Sequence, residues 1–470
     1  VPVLARISPA AAYYTLSIGG RTVGFASLTL DTALTTVDVT EQMDLRLPDG
    51  DSVLRVVQRS RTTFDRSLGF LGTVVSRSQS GERTEIRATA IGDSAMAWHA
   101  GLEGRSGRAD TTGLVRGNAA PPSAVPLLMV ALRPPAKGML RKLALVDPLR
   151  RAVMLVDVAL LADSTLVVAD SAAMNPVTSQ WEPARYDTLR AWHISRRGDG
   201  PPVTLWVDED GLPVRGEILP GLMAERQPFE IATSAYRQQF AGGAHGSAQS
   251  PASATVAAVP AARQSMQVRM PRIDEDTAGW AHAGISGGSQ LLSGDTLFVS
   301  LDTASTGQSL ATAGTMEALV PTSDRAVRIQ AGRVINGETD HRRIAGLLLT
   351  WVSTEVAPAG TPGIPNPRRA LRTRKGDASD RAILYVALAR ASGLEARPVA
   401  GIVAQERGWA RHAWAEVKLG GWVPADPTFG TFPAGAGYVR LVAGAPADPL
   451  YLVPLAASLE PERLTRQKTR

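Results

Sequence analysis

His412 and Asp426 stand in a pattern suited to proton-transfer chemistry. The segment Arg411–Lys418 alternates: His412, Trp414 and Glu416 fall on one face, Ala413, Ala415 and Val417 on the other, as in a half-buried strand. Trp422–Asp426 reads as the return strand. A three-residue loop, Lys418-Leu419-Gly420, with Gly420 left-handed, would set Val417 opposite Gly421, Ala415 opposite Val423 and His412 opposite Asp426. Directly opposed residues have Cβ atoms about 4.5–5.5 Å apart, which lets a carboxylate orient an imidazole. A two-residue loop at Gly420-Gly421 would turn Asp426 to the wrong face, so the pairing depends on the longer turn. By parity Trp414 and Trp422 share the His412 face. The plainer alternative is a half-buried His beside an Asp that opens a turn at Asp426-Pro427, and spacing leaves both readings open.

The elements around this pair are legible. Asp377 stands where an N-cap would, Ile383, Leu384, Ala387, Leu388 and Ala391 make one apolar helix face, and Gly393 stops the helix. Arg397–Val403 reads as a strand. Upstream, Ala326–Val356 shows helical spacing in two pieces broken near Gly337, followed by a Pro-rich loop.

Other motifs carry less. Gly284-Ile285-Ser286-Gly287-Gly288 has the nucleophile-elbow pattern, but strand rather than helix follows it, so it reads as a turn. His99, His193, His245, His282 and His341 have no second ligand at metal spacing. No phosphate loop is present, and the expectation is no metal and no cofactor.

Four blocks together carry a resemblance: Gly376-Asp377-Ala378-Ser379-Asp380, Ala387–Gly393, Arg411–Val417, and Trp422-Val423-Pro424-Ala425-Asp426-Pro427-Thr428. In this order and spacing they resemble the core of the bacterial transglutaminase-like superfamily, whose pattern is Gly-Asp-Cys before a helix, then His-Ala-Trp on a strand, then Asp-Pro-Thr. Phe429-Gly430 and Pro433-Ala434 resemble an extended subgroup of it. The resemblance covers about 326–452 and implies a papain-like fold with a Cys–His–Asp triad. His412 then matches the general base, Asp426 the orienting carboxylate, and Ala378 the nucleophile position; Asp377, Trp414 and Trp422 would border a cleft. The missing sulfur leaves a substituted nucleophile and a natural pseudoenzyme both open. Ser379 would point about 100° away around the helix. Arg381 and Arg411 are further departures. The resemblance implies the scaffold of a thiol amidase, protease or acyl-transferase acting on peptide or amide bonds; a non-catalytic peptide- or envelope-binding module is the alternative.

Composition bounds the remainder. The 470 residues suffice for two to four domains at about 150 residues each. With 44% apolar and 20% charged residues the chain can bury sizeable cores, and 44 Gly with 32 Pro favour turns and short strands. A net charge of +6, with Arg scattered, makes only a weak case for nucleic acid. No apolar run approaches the roughly 18 residues of a membrane span. The absence of Cys excludes disulfides, thiolate metal sites and a thiol nucleophile in the chain as written. Because the chain opens Val1-Pro2-Val3, a signal or anchor removed from an extracytoplasmic (periplasmic or cell-envelope) protein, or a fragment, is expected. The expected class is α+β: a large antiparallel β-rich N-terminal region before the papain-like core. Expected divisions are 1–120 and 121–240 as β-rich modules, or halves of one sheet, then a linker at 241–262, a β segment at 263–325 and the core at 326–470. The partner expected is a peptide, protein or cell-envelope substrate, with no nucleic acid and no membrane span; the oligomeric state is not fixed.

Overall fold

The computed structural model describes residues 7–49, 52–79, 82–92, 95–102, 111–113, 119–131, 135–149, 152–198, 201–241, 264–270, 273, 285–301, 324–359, 365–405, 409–444, 448–459 and 462–464. Two compact units divide the chain: residues 1–48 with 53–248, and residues 249–470 with 49–52. The linker expected at 241–262 lies, after Ala241, outside the described residues.

The first unit is one large sheet with a buried apolar face, antiparallel in its described ladders except where β9 runs parallel to β10. Its strands are β1 (Ala10–Ile18), β2 (Arg21–Thr32), β3 (Thr36–Asp49), β4 (Ser52–Asp65), β5 (Phe70–Gln79), β6 (Glu82–Ile91), β7 (Ala95–Leu102), β8 (Thr111–Gly113), β9 (Ala119–Ala120), β10 (Leu140–Asp147), β11 (Ala152–Met174), β12 (Trp181–Arg197), β13 (Val203–Asp208), β14 (Pro213–Leu219) and β15 (Leu222–Gln227). The order runs β8 to β1, then β15 down to β9. The two β-rich stretches are therefore halves of one sheet, joined where β1 pairs with β15 (Leu16 opposite Ala224). Alternation explains the joint: Tyr14, Leu16 and Ile18 of β1 are buried on the face that holds Leu28 and Leu30 of β2. Two helices lie within the stretch expected to be β-rich, α1 (Val125–Ala131) and α2 (Phe229–Ala241). α2 covers the opposite face of β1 and β2, with Phe229 against Tyr13 at 5.1 Å and Tyr236 against Phe25 at 5.4 Å.

Among the described residues of the second unit a small sheet, β16 (Ser265–Arg269), β17 (Gln290–Ser293) and β18 (Thr296–Ser300), precedes four helices: α3 (Arg325–Ile335), α4 (His341–Glu355), α5 (Pro367–Thr373) and α6 (Ala378–Ala391). Each helix opens on an Asp or Asn whose side chain accepts a first-turn N–H: Asp324, Asp340, Asn366 and Asp377. A short parallel pair, β19 (Ala357–Pro358) with β20 (Lys375–Gly376), fixes the approach to α6. Then come β21 (Ala396–Ala404), β22 (Trp409–Leu419), β23 (Gly421–Ala425), β24 (Tyr438–Ala443), α7 (Pro449–Leu459) and β25 (Glu462–Leu464), which pairs back with β16.

The sheet order β23-β22-β21-β24 gives two faces. On one, Ala396, Ala415, Val417 and Ala425 join a core with α3, α4 and α6, while Ala400, Ile402, Val439 and Leu441 pack with Val268, Leu297 and Val299 of the small sheet. The segment 265–300 thus shares a core with strands β21 and β24 of the sheet that carries His412. The other face holds His412, Trp414 and Glu416. The single apolar face expected for α6 understates it, because all ten residues from Asp380 to Ala389 are buried. A helix enclosed on every side needs no polar stripe.

Gly401 lies opposite His412 in the β21–β22 ladder. A Cβ there would fall 2.0 Å from the Val439 carbonyl and 2.9 Å from Cη2 of Trp414. Gly401→Ala is expected to lower the unfolding free energy in urea by at least about 2 kcal/mol, the scale of overpacking a filled core. Gly332→Ala, in α3 with nothing within 4 Å of the added methyl, is expected to raise it by a few tenths to about 1 kcal/mol. Equal effects would contradict this packing.

Candidate functional site

His412 and Asp426 meet on the enclosed face of the four-stranded sheet. Nε2 of His412 lies 2.8 Å from Oδ2 of Asp426, and both side chains are shielded from solvent. The hairpin that brings them together differs from expectation. Lys418 pairs with Trp422 and Leu419 with Gly421, so Gly420 (φ +79°) stands at the centre of a Leu419-Gly420-Gly421 turn rather than at the end of Lys418–Gly420. Val417 therefore faces Val423, and Ala415 faces Ala425. The ladder is displaced by two residues from the expected register. An even displacement preserves parity, so Asp426 stays on the His412 face. It reaches the imidazole diagonally, not from directly opposite, a spacing still open to side-chain contact.

Asp426 is saturated with donors. Oδ1 accepts the N–H groups of Thr428 (2.7 Å) and Phe429 (3.3 Å), and Oδ2 accepts from His412 and from the Tyr438 hydroxyl (2.7 Å). Burial pushes this carboxyl up, but the His412 imidazole, the Tyr438 hydroxyl and the Thr428 N–H outweigh it and hold the group below the usual carboxylate range. With an ionised Asp426 accepting at Nε2, the proton of a neutral imidazole sits on Nε2, and Nδ1 carries the free lone pair. Nδ1 is buried and has no hydrogen-bond partner among the described residues.

Rings enclose the pair. Trp414 stacks beside His412 at 6.2 Å and 17°, Phe429 lies at 5.3 Å and Tyr438 at 6.1 Å. Trp414 itself is 1% exposed, packed with Val399, Val403, Ala434 and Tyr438, so it is a wall of the interior and no open cleft border. Trp422 is half-buried, with the Arg397 guanidinium 4.1 Å from its ring centre.

Ala378 is the first residue of α6 and is half-buried. Asp377 caps that turn through the Asp380 N–H at 2.8 Å, and burial together with the Asp380 charge pushes its carboxyl up. Arg381, 3% exposed, donates to the carbonyls of Thr428 (3.2 Å) and Val356. This bond ties the first turn of α6 to the loop directly after Asp426. Asp380, also buried, accepts from Arg369 (3.1 Å) and from the Asn366 N–H (3.0 Å).

Further along the sheet, Glu416 is bracketed by two guanidiniums, Arg397 at 2.6 Å and Arg440 at 2.6 Å. Burial pushes Glu416 up, and the two cations bring it below its usual range. The Ile285–Gln290 turn docks here: Gly287 O accepts from Arg440 (2.7 Å), and the Gln290 amide bonds both the N–H (2.5 Å) and the carbonyl (3.1 Å) of Arg440. Ser286 Oγ accepts the Leu292 N–H at 3.1 Å; β17, not a helix, follows. Gly284, His245 and His282 lie outside the described residues. His193 stacks on Trp206 at 4.8 Å. Among the described residues no group of three or more His, Asp and Glu side chains could hold a metal ion, and no helix is long and apolar enough to cross a membrane.

Sequence reasoning missed Tyr438 and the Arg397–Glu416–Arg440 cluster. Tyr438 and Arg440 sit on β24, which pairs with β21 rather than with a neighbour in sequence, so no local spacing points from Asp426 to them.

Residues 329–427 match the family model of the transglutaminase-like superfamily, and the chain carries a transglutaminase-like domain over that span. No curated protein matches the sequence. Among solved structures, a β-barrel-like protein of the DUF1849 domain of unknown function from Brucella abortus aligns with 47% of this chain and 96% of its own, at 11% identity and a TM-score of 0.33. A proposed cysteine protease from Cytophaga hutchinsonii aligns over 65% of this chain and 75% of its own, at 11% identity and a TM-score of 0.25. A DUF1089 family protein from Pseudomonas aeruginosa aligns over 41% and 89%, at 15% identity and a TM-score of 0.24.

A carboxyl held below its unfolded value of about 3.9 adds stability that is complete above that pH and is lost as the pH falls through the lower folded value. The parent is expected to exceed Asp426→Asn by about 2–4 kcal/mol at pH 7. In urea unfolding at pH 3–7, that gap should narrow below about pH 4. A gap that holds or widens there would contradict the ionised, fully bonded Asp426.

Proposed function

We propose that the transglutaminase-like domain is a papain-like site of Cys–His–Asp type whose nucleophile position is held by Ala378. His412 stands as the base and Asp426 as the carboxylate that orients it. One observation carries this reading: His412 commits Nε2 to Asp426 and keeps Nδ1 buried and unpartnered, the arrangement of a base awaiting a proton. The first turn of α6, tied by Arg381 to the loop after Asp426, supplies the helix N-terminus where a thiolate would be stabilised.

With sulfur at 378, His412 Nδ1 would take the thiol proton and the thiolate would attack an amide carbonyl carbon. The carbonyl would re-form as a thioester while the C–N bond breaks, and the leaving amine would take the proton back from the imidazolium. Water or a second amine would then release the acyl group. A methyl performs none of these steps. In the chain as written the site engages a peptide or amide-bearing ligand, from a protein or an extracytoplasmic envelope component, without turning it over.

Alkylation by iodoacetamide across a pH series tests this on Ala378→Cys, alone and with His412→Ala. Below neutral pH the single variant should react at least about tenfold faster than a free thiol of pKa near 8.5, and the advantage should vanish with His412→Ala. An introduced cysteine that titrates as a free thiol in both would remove the silenced-triad reading.

A further inference from the structure

We infer that Tyr438 is a positioning residue for the His412–Asp426 pair: its hydroxyl fixes the Asp426 carboxylate in the orientation that serves the imidazole. The inference rests on the reading of His412 and Asp426 given above. Among the described residues Oδ1 of Asp426 is held only by N–H groups of its own turn, Thr428 and Phe429, so that end moves with the turn. Oδ2, the oxygen facing His412, has one further donor, the Tyr438 O–H at 2.7 Å. Tyr438 comes from the far side of the sheet, since β24 and β23 are opposite edges of the order β23-β22-β21-β24. It thus reaches Asp426 from a strand other than the one that leads into the Asp426 turn, and its hydroxyl also meets the side chain of Thr431, whose backbone bridges to Asp426.

The ring that delivers this hydroxyl is itself fixed. Tyr438 is 4% exposed and meets Trp414 edge-to-face at 5.3 Å and 72°. Two residues on, the Gln290 amide grips both backbone polar groups of Arg440, so the edge strand is held along its free side. The Ile285–Gln290 turn thus acts on the site through β24, as a brace behind Tyr438.

The test uses the full chain with Ala378 in place. The His412 Nε2–H proton, assigned by its loss in His412→Gln, is followed by NMR for its exchange with solvent. Tyr438→Phe keeps the ring and removes the hydroxyl; Tyr438→Met removes both, and its flexible side chain fills the space if Phe proves unfolded. In either variant exchange should quicken about ten- to a hundredfold, the range expected for one lost charge-assisted hydrogen bond. Unchanged or slower exchange in a folded variant would overturn the positioning role. In the Ala378→Cys background, Tyr438→Phe should slow His412-dependent alkylation and have no effect once His412→Ala is present. If Ala378→Cys shows no dependence on His412, the proposed function fails, while the exchange measurement still decides the role of Tyr438.

Discussion

An ionised carboxylate cut off from water costs several kcal/mol unless its oxygens find donors elsewhere, and Asp426, at 0% exposure, lies in that situation. Its four donors come from three places: β22 supplies the imidazole, the turn after β23 supplies two N–H groups, and β24 supplies the phenol. Strands distant in sequence must converge for Asp426 to stay charged. The order β23-β22-β21-β24 does this, and Gly401 lets β24 and the Trp414 ring crowd against β21 where any other residue would clash. Charge on Asp426, the tautomer of His412 and the close packing of this sheet are one constraint seen from three sides.

The helical half of the domain answers to the same economy of charge. α6 is enclosed along most of its length, yet it carries Asp380 and Arg381 in its first turns. Each is compensated locally, Asp380 by Arg369 and the Asn366 N–H, Arg381 by two backbone carbonyls. These bonds set where the helix begins relative to the Asp426 loop, and so where position 378 sits. On the sheet, Glu416 between Arg397 and Arg440 is a second buried charge cluster. Its role in holding the edge strand follows from the same rule, that a buried ion without partners is far costlier than one with them.

Local signals in the sequence were enough for the elements around the His412–Asp426 pair and for the face on which the pair lies. Asp377 before an apolar run and Gly393 after it bracket α6 to within a residue, and the Arg411–Lys418 alternation sorts His412, Trp414 and Glu416 onto one face of β22, although residues 412–417 are buried on both faces and the strand is not half-buried. The turn differs from the expected one because Gly420 and Gly421 both suit a left-handed position, and the sequence alone does not say which residue centres the loop. Parity survived since the error was even, and His412 and Asp426 still meet. Tyr438, the α1 and α2 helices and the joint between β1 and β15 were not legible for a common reason. Each depends on contacts between residues far apart in sequence, and short-range periodicity carries no trace of them.

The central proposal is that position 378 stands before Nδ1 of His412. A crystal structure of Ala378→Cys tests it most directly. The account predicts Sγ within hydrogen-bond reach of His412 Nδ1, about 3–4 Å, with the Nε2 bond to Asp426 retained. Sγ directed away from the imidazole, or Nδ1 occupied by another side chain, would contradict it.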